Sequence, residues 1–398
     1  MKNDAPFLID VTRMIWRRWT GRRPTGIDRV CLAYLEHFGP RAQAVVQAPH
    51  FRRILCRHAS DRLFNLLLSE DQHFRQRFVR LAAKHAWYSI QALGGNGRPY
   101  LNVGHTGLDR PMFAAWVKRA HVRPIYMVHD LIPITHPEFC RVGEASKHRL
   151  RIRTMLETGA AIIGNSQATL DDLNAFANAE GLPTPPQISC WLGGAPLRTT
   201  RCAVAASERP YFVVLGTIEA RKNHVMLLDL WLELTRELGT SAPQLRIIGQ
   251  RGWEADHVFE TLDRTTMLNR YVIEINDCTD AELAEHLSRA RALLFPSMVE
   301  GYGLPLVEAL GAGIPVIASD IPVFREIAGD IPDYLNPTDI APWKQAIRDY
   351  MSKQSASRTR QLKKFARYSM PDWPTHFRTI DEWLAQKLPT LGRSAGRL

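Results

Sequence analysis

Residues 296–320 read PSMVEGYGLPLVEALGAGIPVIASD. The apolar run Ala292–Phe295 leads into Pro296 and Ser297, then a carboxylate at Glu300, a loop holding Gly301 and Gly303, and an apolar stretch that reads as a helix opening near Leu304. Strand, glycine loop and helix in that order belong to a parallel, doubly wound sheet, whose ligands sit beyond the carboxyl ends of the strands. Gly301 and Gly303 are expected to permit positive φ angles and a close backbone approach. A helix start there offers free N–H groups and a positive dipole end to an anion. Glu308 falls on the first helical turns, eight residues after Glu300. Two carboxylates flanking a phosphate-binding helix start suit a sugar nucleotide, with hydroxyls at both ends and a diphosphate between.

The same alternation extends in both directions. Ahead of this stretch, Tyr211–Leu215, Gln244–Ile248 and Tyr271–Ile275 read as strands, with helices over Val225–Leu238, within Gly252–Thr265 and over Asp280–Ala290. Val316–Ala318 reads as the strand that follows. An earlier series has strands at Tyr100–Val103, Pro124–Val128 and Ala160–Asn165, with helices at Pro111–Ala120, Glu144–Thr158 and Gln167–Glu180. The chain opens with a strand, Phe7–Asp10, a basic turn RRWTGRRPTG, a helix over Ile27–Phe38 and a strand around Val45 and Val46. From Phe51 to Leu93, apolar residues at near-helical spacing with arginines between them predict one or two basic amphipathic helices. The Pro- and Gly-rich segment GLPTPPQISCWLGGAP approaches a domain boundary. The fold expected is α/β, with one doubly wound parallel sheet in each half of the 398 residues.

Composition narrows the class. Apolar residues make up 45% and charged residues 23%, as in ordinary globular chains, and no run approaches the roughly 20 apolar residues that span a bilayer. The first residues, MKNDAPFLIDVTRMIWRRW, lack a signal-peptide pattern. Six scattered cysteines, with no C-x-x-C pair, read as reduced thiols of a cytoplasmic protein. The net charge of +11 is concentrated: residues 1–130 hold 21 Lys and Arg against 9 Asp and Glu. Such a surface attracts anionic lipid head groups or phosphorylated partners, although a plain solvated face is an equal reading. Arg53, Arg57 and Arg62 are candidates for one basic helical face.

EGYGLPLVEAL, from Glu300 through Glu308, resembles the Glu-x7-Glu signature of the family-4 retaining glycosyltransferases (group 1) of GT-B fold. VVLGTIEARKNH, LRIIGQRGW and GAGIPVIASDIPVFREI resemble the family's other landmarks in order. TGIDRV, VHDLIPITHPEF and IIGNSQATLDDL agree more loosely in the N-terminal half. The resemblance implies two Rossmann-like domains facing a cleft. Residues 1–200 would be the acceptor side, 201–370 the nucleotide-sugar side, and 371–398 a helix crossing back. It implies that Lys222 and Arg221 neutralise the donor diphosphate, and that backbone N–H groups at Gly303 and Leu304 cap its distal phosphate. Glu300 would hold hydroxyls of the transferred sugar, Glu308 those of the ribose. His129 would approach the sugar from the other domain, and Gly26 would let the first loop pass the phosphates. Thr217 stands where many members carry an arginine, so Arg221 would supply the second positive charge.

The reaction so implied is retaining hexosyl transfer to a glycan or lipid-linked glycan in bacterial surface polysaccharide synthesis. With no nucleophile evident on the sugar's far face, a front-face reaction is expected. No Asp-x-Asp motif occurs, so neither a metal nor a cofactor beyond the donor is expected. GDP-mannose is the first choice, because GTIEARKN resembles the phosphate loop of bacterial mannosyltransferases of polysaccharide assembly. UDP-hexoses and dTDP-rhamnose remain open. The location expected is cytoplasmic; peripheral contact with an anionic membrane at its inner face is one of the two readings of the basic surface, and nucleic acid is not expected as a partner. Rival readings are a nonhydrolysing sugar-nucleotide epimerase of the same architecture and a nonenzymatic membrane- or nucleic-acid-binding protein. A dehydrogenase would need G-x-G-x-x-G after Phe7–Asp10, and none is there.

Overall fold

The computed structural model describes residues 5–21, 25–48, 51–69, 71–86, 94–197 and 209–394. It divides into two compact units. Met1–Leu131, Ser146–Cys190 and Trp373–Leu398 form the first, and Ile132–Ala145 with Trp191–Asp372 form the second. The divisions therefore fall at Cys190 and Asp372 rather than at 200 and 370, and a short excursion after the fifth strand belongs to the second unit.

The first unit is built on β1 (Phe7–Asp10), β2 (Ala42–Ala48), β3 (Phe51–Ile54), β4 (Pro99–Asn102), β5 (Arg123–Val128), β6 (Ala161–Gly164) and β7 (Gln187–Ser189). Their order is β3-β2-β1-β4-β5-β6-β7. All pairings are parallel except β2 with β3, which is antiparallel. Strands buried on both faces read as continuous apolar runs, and β1, β4 and β6 are buried along their whole length. The final helix, Trp373–Ser394, packs on this unit: Tyr34 and His376 share a hydrogen bond of 2.9 Å, and His37 stacks on Phe377 at 4.1 Å.

Two local expectations change here. Residues 22–24 of RRWTGRRPTG lie outside the described residues, and the first four residues of that stretch, expected as a turn, instead end a helix, Thr12–Thr20. Met14 and Ile15 are its buried face, and Gly21 ends it in the left-handed region at φ +67°. The predicted helices of Phe51–Leu93 begin later: Phe51–Ile54 is an edge strand, followed by helices Arg57–Leu68 and Phe74–Ala86. The end of that prediction, residues 87–93, lies outside the described residues. Arg53 therefore sits on a strand, and Arg57 is engaged with Asp61 and the carbonyls of Pro40 and Ala42. The three arginines do not share one helical face.

The second unit holds β8 (Tyr211–Leu215), β9 (Gln244–Ile248), β10 (Val272–Ile275), β11 (Leu293–Phe295), β12 (Val316–Ser319) and β13 (Asp333–Leu335). All are parallel, in the order β10-β9-β8-β11-β12-β13. Strand order reverses between β8 and β11, the switch point where ligands bind in open α/β sheets. Trp231, Trp343 and Tyr350 are fully buried in its core, with the Trp231 and Trp343 indole N–H groups satisfied by the Pro243 and Asn336 carbonyls. Among the described residues, no helix is long and apolar enough to cross a membrane.

Candidate functional site

The loops leaving β8 and β11 meet at the switch point of the second sheet. After β8, Gly216 takes φ +133° and a tight turn over Ala220–Lys222 follows, closed by Asn223 at φ +58°. A Cβ on Gly249 would lie 1.9 Å from the Gly216 carbonyl oxygen, so the loops after β8 and β9 pass at a separation only glycine allows. One on Gly252 would lie 2.6 Å from the Thr217 methyl carbon. Thr217 thus lines the same loop contact, with a side chain too short to reach as an arginine would.

After β11, the Met298 amide donates to the Arg221 carbonyl at 2.8 Å, stitching the two loops together. Their side chains converge on Glu300. Arg221 Nη1 donates to its Oε2 at 2.6 Å, Ser297 Oγ to its Oε1 at 2.8 Å, and Lys222 Nζ to the same Oε1. Arg221 also reaches back, its Nη2 lying 2.6 Å from Glu219 Oε1, while Nη1 donates to the Val299 carbonyl at 3.2 Å. Lys222 Nζ lies 4.9 Å from the centre of the Phe295 ring. The side chains of Glu219, Lys222 and Glu300 are almost wholly buried, and that of Arg221 mostly so.

Two buried carboxylates and two buried cations balance formally. Burial alone would raise Glu300, but Arg221 and Lys222 outweigh it and hold its carboxyl at about 2. Glu219 is raised by burial, opposed by the same two cations. Burial also lowers Lys222, with Glu300 pulling the other way. Removing one member of such a group leaves an uncompensated buried charge, typically at about 3–5 kcal/mol.

Beyond the cluster, helix Leu304–Gly311 starts at Gly303, φ +117°, with no side chain capping it. A Cβ on Gly303 would sit 2.8 Å from the Phe324 ring. The Gly303 carbonyl already takes the Leu306 and Val307 amides, and Pro305 has no N–H, so the outward donors of this start are Gly303 and Leu304. Gly301 does not use the left-handed region, contrary to expectation; only the second glycine of the loop carries that demand. Glu308 is buried further along the helix, its Oε1 accepting from the Ala195 amide at 3.2 Å.

Of the residues predicted, the structure brings Arg221, Lys222 and Glu300 into one cluster, and Gly303, Leu304 and Glu308 onto the adjoining helix. His129 and Gly26 belong to the first unit. His129 follows β5, buried, with Nε2 donating to the Val103 carbonyl at 2.7 Å beside the His105 ring. Burial pushes it down to about 4, a neutral imidazole. Gly26 is the first residue of helix Gly26–Phe38, capped by Thr25 and Asp28, and Asp28 pairs with Arg13 and Arg17. Glu219, Ser297 and His224 were not singled out by the sequence. Both ring nitrogens of His224 are buried without a hydrogen-bond partner among the described residues, and burial with the nearby Lys222 charge pushes it to about 4. Glu219 lies within VVLGTIEARKNH, one position before Ala220, so the signal available was its place in that loop.

Residues 201–368 match the sequence profile of the family described as "Glycosyl transferases group 1". The chain is 32% identical over 246 residues to the serotype-specific mannosyltransferase WbdA of Escherichia coli, covering 57% of this chain and 29% of WbdA. It therefore spans less than a third of that relative's length. It is 26% identical over 225 residues to O-antigen chain mannosyltransferase B of Escherichia coli, covering 55% of this chain and 58% of that protein. Anabaena Alr3699/HepE, solved in complex with UDP and glucose, superposes with a TM-score of 0.66 at 14% identity, over 96% of this chain and 99% of the other. Sucrose-phosphate synthase from Thermosynechococcus elongatus superposes at 0.60 and 15% identity, over 96% and 99%. The C-terminal part of the chain thus resembles the group 1 glycosyltransferases, and the architecture is GT-B.

Proposed function

We propose that this chain is a glycosyltransferase that moves a hexose from a nucleotide sugar, GDP-mannose first, to a glycan or lipid-linked glycan during assembly of a bacterial surface polysaccharide. The observation that carries the reading is the buried Glu219–Arg221–Lys222–Glu300 cluster at the switch point of the second sheet, beside the open helix start at Gly303. Two buried cations next to outward backbone donors are suited to a diphosphate whose charge grows as it leaves the sugar. Glu300 engages both cations. A diphosphate entering the site competes for them and turns Glu300 toward the hydroxyls of the hexose. Glu308 is assigned to the ribose.

Transfer proceeds with retention at the front face of the sugar. The leaving diphosphate helps deprotonate the acceptor hydroxyl, while Arg221, Lys222 and the Gly303 and Leu304 amides stabilise the charge it gathers. His129, neutral and fixed by the Val103 carbonyl, acts as a polar contact to the sugar rather than as a cation. Two basic side chains perform the neutralisation a divalent ion would otherwise provide, so the reaction is assigned as metal-independent. Mannose is favoured over the UDP-hexoses and dTDP-rhamnose because WbdA and O-antigen chain mannosyltransferase B, to which the chain is similar, are named mannosyltransferases. The enzyme works at the cytoplasmic face of the membrane, which its basic N-terminal third touches.

A thermal-shift and saturation-transfer panel of GDP-, UDP- and dTDP-sugars tests the donor assignment. GDP-mannose is expected to raise the unfolding temperature most, and a response to none of the three classes would remove the reading.

A further inference from the structure

The proposed donor site uses Arg221, Lys222 and Glu300, and gives Glu219 no task. Yet Glu219 is a buried carboxylate next to where two phosphates would bind, where its charge repels the ligand. An ionised group kept in such a place needs a compensating role or partner. The geometry supplies one. Glu219 opens the turn Ala220–Lys222, its backbone carbonyl accepts the Lys222 amide at 3.0 Å, and its Oε1 lies 2.6 Å from Arg221 Nη2. Arg221 is thereby gripped on two sides: Glu219 takes one guanidinium nitrogen, while Glu300 and the Val299 carbonyl take the other. When a diphosphate displaces Glu300, half of that grip goes. The Glu219 bond is the charged contact that stays.

We propose that Glu219 is a positioning residue that holds the Arg221 guanidinium in place for the donor diphosphate after Glu300 has let it go. This rests on the donor-site reading above. An arginine side chain left to itself carries considerable rotamer freedom, and fixing it in advance removes that cost from ligand binding. Burial raises Glu219 while Arg221 and Lys222 resist the rise, so the carboxylate's charge depends on the cations it steers. The direct side-chain contact by which Glu219 acts on the ligand is the one to Arg221.

A double-mutant cycle on the full chain tests this, with GDP and UDP as probes in calorimetric titration and unfolding temperature as the control for folding. Glu219→Gln keeps the shape and loses the charge; it should weaken nucleoside diphosphate binding about tenfold. Arg221→Ala should weaken it at least as much, and the double variant should be no weaker than Arg221→Ala alone. Guanidinium chloride at sub-denaturing concentration should restore binding in Arg221→Ala and fail to do so in the double variant, a response that a merely structural glutamate would not produce. If Glu219→Gln does not fold, Glu219→Asp retains the charge one methylene back and should show a smaller loss with the same dependence on Arg221. Wild-type affinity in Glu219→Gln, or losses that simply add, would overturn the proposal. Failure of the wild type to bind any nucleoside diphosphate would instead overturn the donor-site reading, and this proposal with it.

Discussion

Lys222 and Glu300 stand 78 positions apart and share one ion pair, which no reading of local pattern can supply. Both were legible as candidates because each sits in a recognisable strand–loop–helix stretch. Glu219 and Ser297 were not, because what marks them is a partner brought close by the sheet: β8 and β11 are neighbours only once the chain has folded. His129 was legible as a strand-end residue, but its neutrality follows from burial and the Val103 carbonyl, both tertiary facts. The two carboxylates of the donor site should separate kinetically. Glu300→Gln frees two buried cations and removes the group assigned to the sugar, so turnover should fall by about 100-fold or more. Glu308→Gln should chiefly raise the donor KM. Normal turnover and affinity in both variants would end the two-carboxylate assignment. A second expectation at this scale concerns pH. His129 in one unit and His224 in the other are pushed to about 4 by burial. Unfolded, each titrates near 6.5, so between those values the unfolded chain binds more protons and stability falls as pH drops. Each histidine accounts for on the order of 3 kcal/mol across that window. Glu300, held at about 2, adds a further loss below about pH 4.5. Urea midpoints should be level above pH 7 and decline from pH 6.5 to 4; a level profile through that range would show that the imidazoles are not buried and neutral.

Most elements were legible from alternation and period, and the misreadings have physical causes. RRWTGRRPTG carries the Gly and Pro of a turn, yet its first four residues, Arg17–Thr20, are the last turn of a helix that Met14 and Ile15, just upstream, anchor by burial, and Gly21 caps it. Phe51–Ile54 fits a helical spacing as well as a strand; what decides is the antiparallel ladder to β2, with Val45 opposite Ile54, and no local pattern reveals a ladder. The glycine loop shows the same limit. Two glycines invite two left-handed residues, but the backbone needs only Gly303 there. Gly303→Ala combines φ +117° with a Cβ 2.8 Å from Phe324. It should cost about 1–3 kcal/mol of stability and disturb the helix start assigned to the distal phosphate. Gly301→Ala, free of the left-handed requirement, is the matched control and should unfold close to wild type. Equal unfolding temperatures and donor affinities for the two variants would contradict the structural distinction between them.

At the scale of the molecule, the basic excess of the N-terminal third has a structural counterpart in the helices Thr12–Thr20 and Phe74–Ala86. Trp16 and Trp19 are 48% and 40% exposed there, Arg17 lies over the Trp16 ring, and Arg75 lies over the Trp19 ring. Exposed tryptophan interleaved with arginine suits a membrane interface, and each basic residue near an anionic surface adds about 1 kcal/mol. Sedimentation with phosphatidylglycerol vesicles should be salt-sensitive in the wild type and reduced in a Trp16→Ala, Trp19→Ala, Arg75→Glu triple variant. Indifference of the wild type to such vesicles at low salt would leave that face merely solvated. The parallel, doubly wound character of the second unit, by contrast, could be anticipated from its regular alternation, and the strand order the fold adopts places the loops after β8 and β11 side by side. The role proposed for this meeting point is to drive departure of a nucleoside diphosphate during sugar transfer. It is tested most directly by supplying GDP-mannose and a mannose-terminated oligosaccharide, with chelator present, and following GDP and glycan together. Acceptor-dependent GDP release, matched by a glycan longer by one hexose and reduced by orders of magnitude in Lys222→Ala, is the predicted result. Equal release by Lys222→Ala, or no release from any GDP-, UDP- or dTDP-sugar with any glycan acceptor, would contradict it.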